Sequence, residues 1–74
     1  MARYRVEHLT ARQERIVQCI RERIIERGEA PTILEIGEAV GLHSKSAVHY
    51  QLIQIEMKGA IVRESWRHRG IRLT

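Results

Sequence analysis

The sequence has a single cysteine and no CxxC pair, which excludes an internal disulfide and argues against a zinc cluster. We expect Cys19 to pack as a small hydrophobic residue in a reducing compartment rather than to act as a redox sensor. No apolar run reaches the length of a signal h-region or a membrane span. These absences predict a cytoplasmic protein with no metal, no cofactor and no membrane partner.

Catalytic signatures are also missing, since the sequence has no paired carboxylates, activated nucleophile or glycine-rich phosphate loop. We therefore expect neither an enzyme nor a small-molecule substrate. With two tyrosines, one tryptophan and no phenylalanine, the chain lacks the stacking aromatics of RNA-binding sheets. Linkers and repeats are absent too, so the 74 residues predict one domain over residues 1–74, with residues 1–7 as a loose arm.

The excess of positive charge is confined to the second half of the chain. Residues 1–42 contain seven basic and seven acidic residues, whereas residues 43–74 contain six basic and two acidic ones, a net charge of +4. The basic residues fall on one predicted helix and on a tail over residues 63–72. A one-sided basic surface of this kind is typical of proteins that bind nucleic acid.

Three helices are predicted from their start and stop signals. Capping boxes at Thr10 and Thr32 begin the first two helices, over residues 11–27 and from position 32 to Gly41. Ser44 is the expected N-cap of a third helix, which reaches residue 57 or 58 before Gly59. The charged residues of the first helix are expected to cover its solvent side as ordinary surface: Arg12, Arg15, Glu22, Arg23 and Glu26.

Apolar residues at helical spacing predict the side of each helix that faces the core. These inward residues are Ile16, Val17, Ile20 and Ile24 on the first helix, Ile36 and Val40 on the second, and Val48, Leu52 and Ile55 on the third. Leu42, after the second helix, is expected to return to the core. Gly37 and Ala39 leave little side-chain bulk, which permits the close helix approach of a helix-turn-helix.

After Gly59 the hydrophobic period changes from that of a helix to that of a strand. Residues 61–63 and 70–73 predict two short strands, joined by a basic loop over residues 65–69. The expected fold class is therefore mainly α with a small β-hairpin, a winged helix-turn-helix with three helices and a C-terminal two-stranded wing. Its predicted contacts to a DNA backbone are Lys45, Arg63, Trp66, Arg67, His68, Arg69 and Arg72.

The third helix presents polar side chains on its outer face. Ser46, His49 and Tyr50 can donate to, accept from or pack against base edges in the major groove. Two alternatives stay open: the basic tail could be solvated charge on a hairpin, and Trp66 could pack within the wing instead of contacting nucleic acid.

Five short motifs keep the order and spacing seen in one known family. They are Leu9-Thr-Ala-Arg-Gln13, Pro31-Thr-x-x-Glu35-Ile36, Gly41-Leu-x-Ser44, Lys58-Gly59 and Arg69-Gly-Ile-Arg-Leu73. Together, over about residues 9–73, they resemble the N-terminal winged-helix domain of the LexA repressors. The resemblance implies a transcriptional repressor of the SOS response that binds palindromic operators in pairs. Carried over by position, the residues that contact bases fall on Ser44, Ser46, Ala47, His49 and Tyr50.

Two departures from the family pattern bear on function. We expect the self-cleaving peptidase domain of LexA, with its Ser-Lys dyad, to be missing from this chain. The better-known enterobacterial form has an Asn and two Glu where this chain has Ser46, His49 and Tyr50, so we expect a different operator preference.

The exposed apolar residues define a competing hypothesis. Leu34, Ile53 and Met57 could be scattered surface residues, or they could form one adhesive patch. If they form a patch, the chain would be a protein-interaction module or an accessory partner of a larger repressor. If they are scattered, the expected partner is a second copy of the chain on double-stranded DNA of the bacterial nucleoid.

Overall fold

A computed structural model of the chain describes residues 8–64 and 69–74. Its helices are α1 (Ala11–Arg27), α2 (Ile33–Val40) and α3 (Lys45–Met57), and its strands are β1 (Ile61–Arg63) and β2 (Ile71–Leu73). This order confirms the predicted winged helix-turn-helix, with each helix and strand beginning and ending within about one residue of the expected position. No helix in the described ranges is long and apolar enough to cross a membrane.

Both predicted capping boxes are formed. Thr10 Oγ1 accepts from the Gln13 N–H at 3.1 Å, and Gln13 Oε1 accepts from the Thr10 N–H at 3.0 Å. Thr32 and Glu35 repeat this exchange at 3.1 and 2.8 Å. Ser44 caps α3 through its hydroxyl oxygen, which accepts from a backbone N–H at 3.2 Å. The caps satisfy N–H groups that have no partner within the helix, and they fix where each helix starts.

One core joins the three helices to the inner face of the hairpin. Ile24 and Leu42 are only half-buried and pack against its edge. The other predicted inward residues are buried, and the hydrophobic core consists of Ile16, Val17, Ile20, Ala30, Ile36, Val40, Val48, Leu52, Ile55, Ala60, Ile61 and Ile71.

The turn between α2 and α3 depends on the missing side chain of Gly37. A Cβ at this position would lie 2.6 Å from the carbonyl oxygen of Leu42 and 3.3 Å from Cγ2 of Val48. The Leu42 N–H also donates to the Gly37 carbonyl at 2.9 Å, so the two backbones are held together. Ala39 is exposed, and the predicted close approach therefore holds at Gly37 alone.

The wing is antiparallel and pairs Ile61 with Leu73, Val62 with Arg72, and Arg63 with Ile71. Because successive side chains of a strand point to opposite faces, Ile61 and Ile71 face the core while Val62 and Arg72 face outward. Arg63 lies on the inner face, on the side of α3.

Candidate nucleic-acid interface

The first turns of α3 carry the residues that the sequence predicts to contact bases. Ser44, Ser46, His49 and Tyr50 are exposed, and Ala47 is half-buried beside them. The first turn of α3 contains no acidic residue. The helix N-terminus therefore keeps the partial positive charge that favours a phosphate group nearby.

A groove of about 500 Å³ runs between the start of α2, α3 and the hairpin. Its rim includes Lys45 and His49 from α3 and Arg63 from β1, whereas Leu34 and Ile71 are among its apolar lining residues. A cationic rim above apolar surface matches the charge and the sugar face of a nucleic-acid backbone.

Arg63 links the wing to the outer face of α3. Its Nη2 lies 3.4 Å from Nδ1 of His49. Its backbone N–H donates to the Glu56 carboxylate at 3.2 Å. These contacts join β1 to α3 at two points, one of them at a predicted base-reading residue.

Arg69, expected to contact a DNA backbone, is engaged within the protein. Its Nη1 donates to the Ala30 carbonyl at 2.9 Å and to Glu35 Oε1 at 3.0 Å, and its Nε lies 3.7 Å from Glu29 Oε2. Its φ of 58° is a conformation that residues other than glycine rarely adopt. The phosphate contact stays a prediction, while the geometry gives Arg69 a role in holding the loop end of the wing against the start of α2.

Glu35 is the centre of this cluster, because Arg23 Nη1 also lies 3.0 Å from its Oε1. The expectation that Arg23 is ordinary solvated surface is wrong, since it joins α1 to the first turn of α2. The Thr32 N–H, followed by the Arg69 hydrogen bond and the nearby charges, lowers the pKa of Glu35 to about 2. A carboxylate shared by two guanidinium groups is favoured in its ionised form.

The remaining wing residues divide into two groups. The Arg72 side chain is 61% exposed, and its Nε lies 3.3 Å from Oε2 of Glu64, the residue that follows β1. Trp66, Arg67 and His68 lie outside the described residues. Among the residues that the structure describes, the wing cations other than Arg69 are Arg63 and Arg72.

A polar contact that the sequence did not reveal joins α3 to the start of α1. Gln13, which is 5% exposed, donates from Nε2 to Gln51 Oε1 at 3.2 Å. Lys58 Nζ donates to Gln13 Oε1 at 2.7 Å. The capping-box pattern identified Gln13 as a cap, but its second role depends on residues far along the chain. These contacts fix the middle and the C-terminal end of α3 relative to the start of α1.

Two further sequence predictions concern the reactivity of Cys19 and the presence of a metal site. Burial raises the pKa of the Cys19 thiol, with Arg23 acting in the opposite direction. A raised thiol pKa lowers the fraction of reactive thiolate, which agrees with a packing role for this residue. Among residues 8–64 and 69–74, no three His, Cys, Asp or Glu side chains are grouped so that they could hold a metal ion.

The three helices, the wing and the polar outer face of α3 define a winged helix-turn-helix domain. Residues 6–70 match the family model of the LexA DNA binding domain. The chain belongs to this family.

Relatives of the chain carry the same family name. Identity is 48% over 63 residues with the LexA repressor of Corynebacterium jeikeium, covering 85% of this chain and 24% of that protein. It is 45% over 65 residues with the LexA repressor of Brevibacillus brevis, covering 88% and 31%. It is 46% over 62 residues with that of Streptomyces coelicolor, covering 84% and 26%. The chain thus spans between 24% and 31% of the length of these relatives.

Proposed function

We propose that this chain binds double-stranded DNA sequence-specifically and acts as a transcriptional repressor domain. The observation that carries the proposal is the outer face of α3, where Ser46, His49 and Tyr50 are exposed. His49 also lines one groove together with Lys45 and Arg63. With α3 in the major groove, the base contacts would come from Ser44, Ser46, Ala47, His49 and Tyr50.

Phosphate contacts would supply most of the affinity. Lys45 at the start of α3 and Arg63 and Arg72 on the wing are the described cations suited to this role, and the wing tip would add Trp66, Arg67 and His68. Arg69 would act mainly by holding the wing in place, because two carboxylates already surround its guanidinium. With four to five such contacts, log K should fall with log salt at a slope of about −4.

A single domain of this size should bind one half-site weakly, so a second copy on a palindromic operator would supply useful affinity. The relatives are named LexA repressors, which supports repression as the outcome of binding and genes of the SOS response as targets. The site would then lie on chromosomal DNA in the bacterial cytoplasm. We assign no catalysis to this chain.

The test is selection of bound sequences from a random duplex library at moderate salt. The native chain and Arg12→Ala, an exposed change on α1, should recover the same palindromic motif. His49→Ala/Tyr50→Ala should bind weakly and without that motif, because the residues that read the bases are gone. Recovery of the native motif by the double variant would contradict the assignment of α3. No motif with the native chain would overturn the proposed function.

A second candidate is docking on a larger LexA-type repressor, which the apolar side of α3 favours. Leu34, Ile53 and Met57 are 62%, 46% and 74% exposed, and Ile53 and Met57 lie four residues apart on α3. Under this hypothesis the double variant Ile53→Ser/Met57→Ser should form no mixed complexes with a full-length repressor. Sizing of the mixture by light scattering would measure this, and the absence of any mixed complex with the native chain would rule the candidate out.

A further inference from the structure

We propose that Arg63 is a specificity-determining positioning residue that holds His49 in one tautomer, so that His49 reads only base edges that accept a hydrogen bond. The inference rests on the proposed function and refines it. It comes from the contact between Arg63 Nη2 and His49 Nδ1 at 3.4 Å.

The chemistry of the two side chains decides where the imidazole proton lies. An arginine guanidinium has only N–H donors and does not lose its proton in proteins. Its partner, the Nδ1 atom of His49, must therefore offer a lone pair. A neutral imidazole with an acceptor at Nδ1 carries its proton at Nε2. The contact selects the Nε2–H form of His49.

Arg63 can impose this choice because its own backbone is fixed. Ile61, two residues earlier on the same strand face, is 1% exposed, and Ile71 opposite Arg63 is 8% exposed. The Arg63 N–H is held by the Glu56 carboxylate on the last turns of α3. The guanidinium therefore approaches His49 from a buried strand rather than from a free surface chain.

The consequence is that His49 acts only as a hydrogen-bond donor toward the base edge. With its proton at Nε2, His49 can only donate toward the groove, and the matching acceptors are guanine O6 and N7, adenine N7 and thymine O4. The amino group of cytosine offers no acceptor there. Without Arg63 the imidazole can move its proton to Nδ1 and turn, so that it accepts as well as donates. Base preference at this one position would then relax.

Arg72 provides a matched control, because it is also a wing arginine but faces outward beside Val62. We would take the motif recovered by the native chain and find the base pair whose preference is lost in His49→Ala. The dissociation constant would then be measured for all four bases at this position with Arg63→Met, Arg72→Met and His49→Ala/Arg63→Met.

The expected preference of the native chain at this position is about tenfold, the size that one side-chain contact to a base edge supplies. Arg63→Met should remove most of it, and the double variant should show no loss of preference beyond that of His49→Ala, because Arg63 acts through His49. Arg72→Met should weaken binding equally for all four bases. If Arg63→Met weakens binding but keeps the full preference, Arg63 is only a phosphate contact and the inference is overturned.

A second measurement needs no DNA. Long-range ¹H–¹⁵N spectra of the native protein at alkaline pH should show Nδ1 of His49 unprotonated and Nε2 protonated. A proton on Nδ1 would overturn the inference on its own. The two proposals fail separately: an absent motif with the native chain refutes DNA reading, whereas a motif insensitive to Arg63 refutes only the role of Arg63.

Discussion

Nη1 of Arg69 and Oε1 of Glu35 lie 3.0 Å apart and join the loop end of the wing to the first turn of α2. The same carboxylate oxygen caps α2 and meets Arg23 of α1. Neither Arg69 nor Glu35 lies on α3, yet together they fix the side of the helix-turn-helix on which the wing stands. The orientation of the wing therefore depends on an ion pair within the protein.

Arg69 and Lys45 should consequently respond differently to replacement by alanine. Lys45→Ala should reduce the salt slope of DNA binding by about 0.9, the share of one phosphate contact, and leave stability unchanged. Arg69→Ala should leave the slope near the native value and lower the free energy of unfolding by about 1 kcal/mol, a figure that allows for partial solvent screening.

Fluorescence titrations at several salt concentrations and urea unfolding would measure the two effects. Arg12→Ala, on the exposed side of α1, is the control that should change neither. A slope that falls for Arg69→Ala as much as for Lys45→Ala would mean that the guanidinium leaves Glu35 to bind phosphate.

The lowered pKa of Glu35 predicts a specific loss of stability in acid. Its folded value of about 2 lies below the ordinary value of 4.5, so the contribution is complete above pH 4.5 and is lost as the pH falls toward 2. Glu35→Gln should keep the capping box, because Gln13 already makes the same bond on α1. The variant should lose only the negative charge of the Glu35 carboxylate.

Urea unfolding between pH 7 and pH 2 would test this. Glu35→Gln should be less stable than the native chain at pH 7, and the difference should shrink as the pH falls from 4.5 to 2. Two curves that stay parallel through this range would show that the ionised carboxylate does not stabilise the cluster.

For Gly37→Ala, the sign of the change in the free energy of unfolding tests the close contact at this position. Helix propensity alone favours alanine over glycine by about 1 kcal/mol. The new Cβ would lie 2.6 Å from a backbone oxygen that cannot move without shifting the turn. We expect a net loss of about 1 to 3 kcal/mol in the free energy of unfolding. Thermal unfolding would measure it, and a stabilised variant would show that α2 and α3 are not in tight contact.

The sequence predicted what depends on near neighbours along the chain. The caps at Thr10, Thr32 and Ser44 are exchanges across three residues, and the inward stripe of α3 repeats every three or four, so both are visible in the order of residues. The switch to a strand period located the wing in the same way.

Contacts between distant residues left no such signal. Arg69 and Glu35 are separated by 34 positions, and Gln13 and Lys58 by 45. A charged residue looks the same in a sequence whether it meets water, phosphate or a carboxylate. For this reason the sequence predicts a solvated Arg23 and a DNA contact for Arg69, and it gives no sign of their contacts with Glu35 or of the contact between Arg63 and His49.

The outer and inner residues of α3 form separate sets, and this has a consequence for how such a domain diverges. Val48, Leu52 and Ile55 hold the scaffold, while Ser46 and Tyr50 can be exchanged without repacking it. A duplicated gene could therefore acquire new targets through a few surface mutations and remain folded at every step. His49 is the exception, because it is tied to Arg63, and these two positions should change together during evolution.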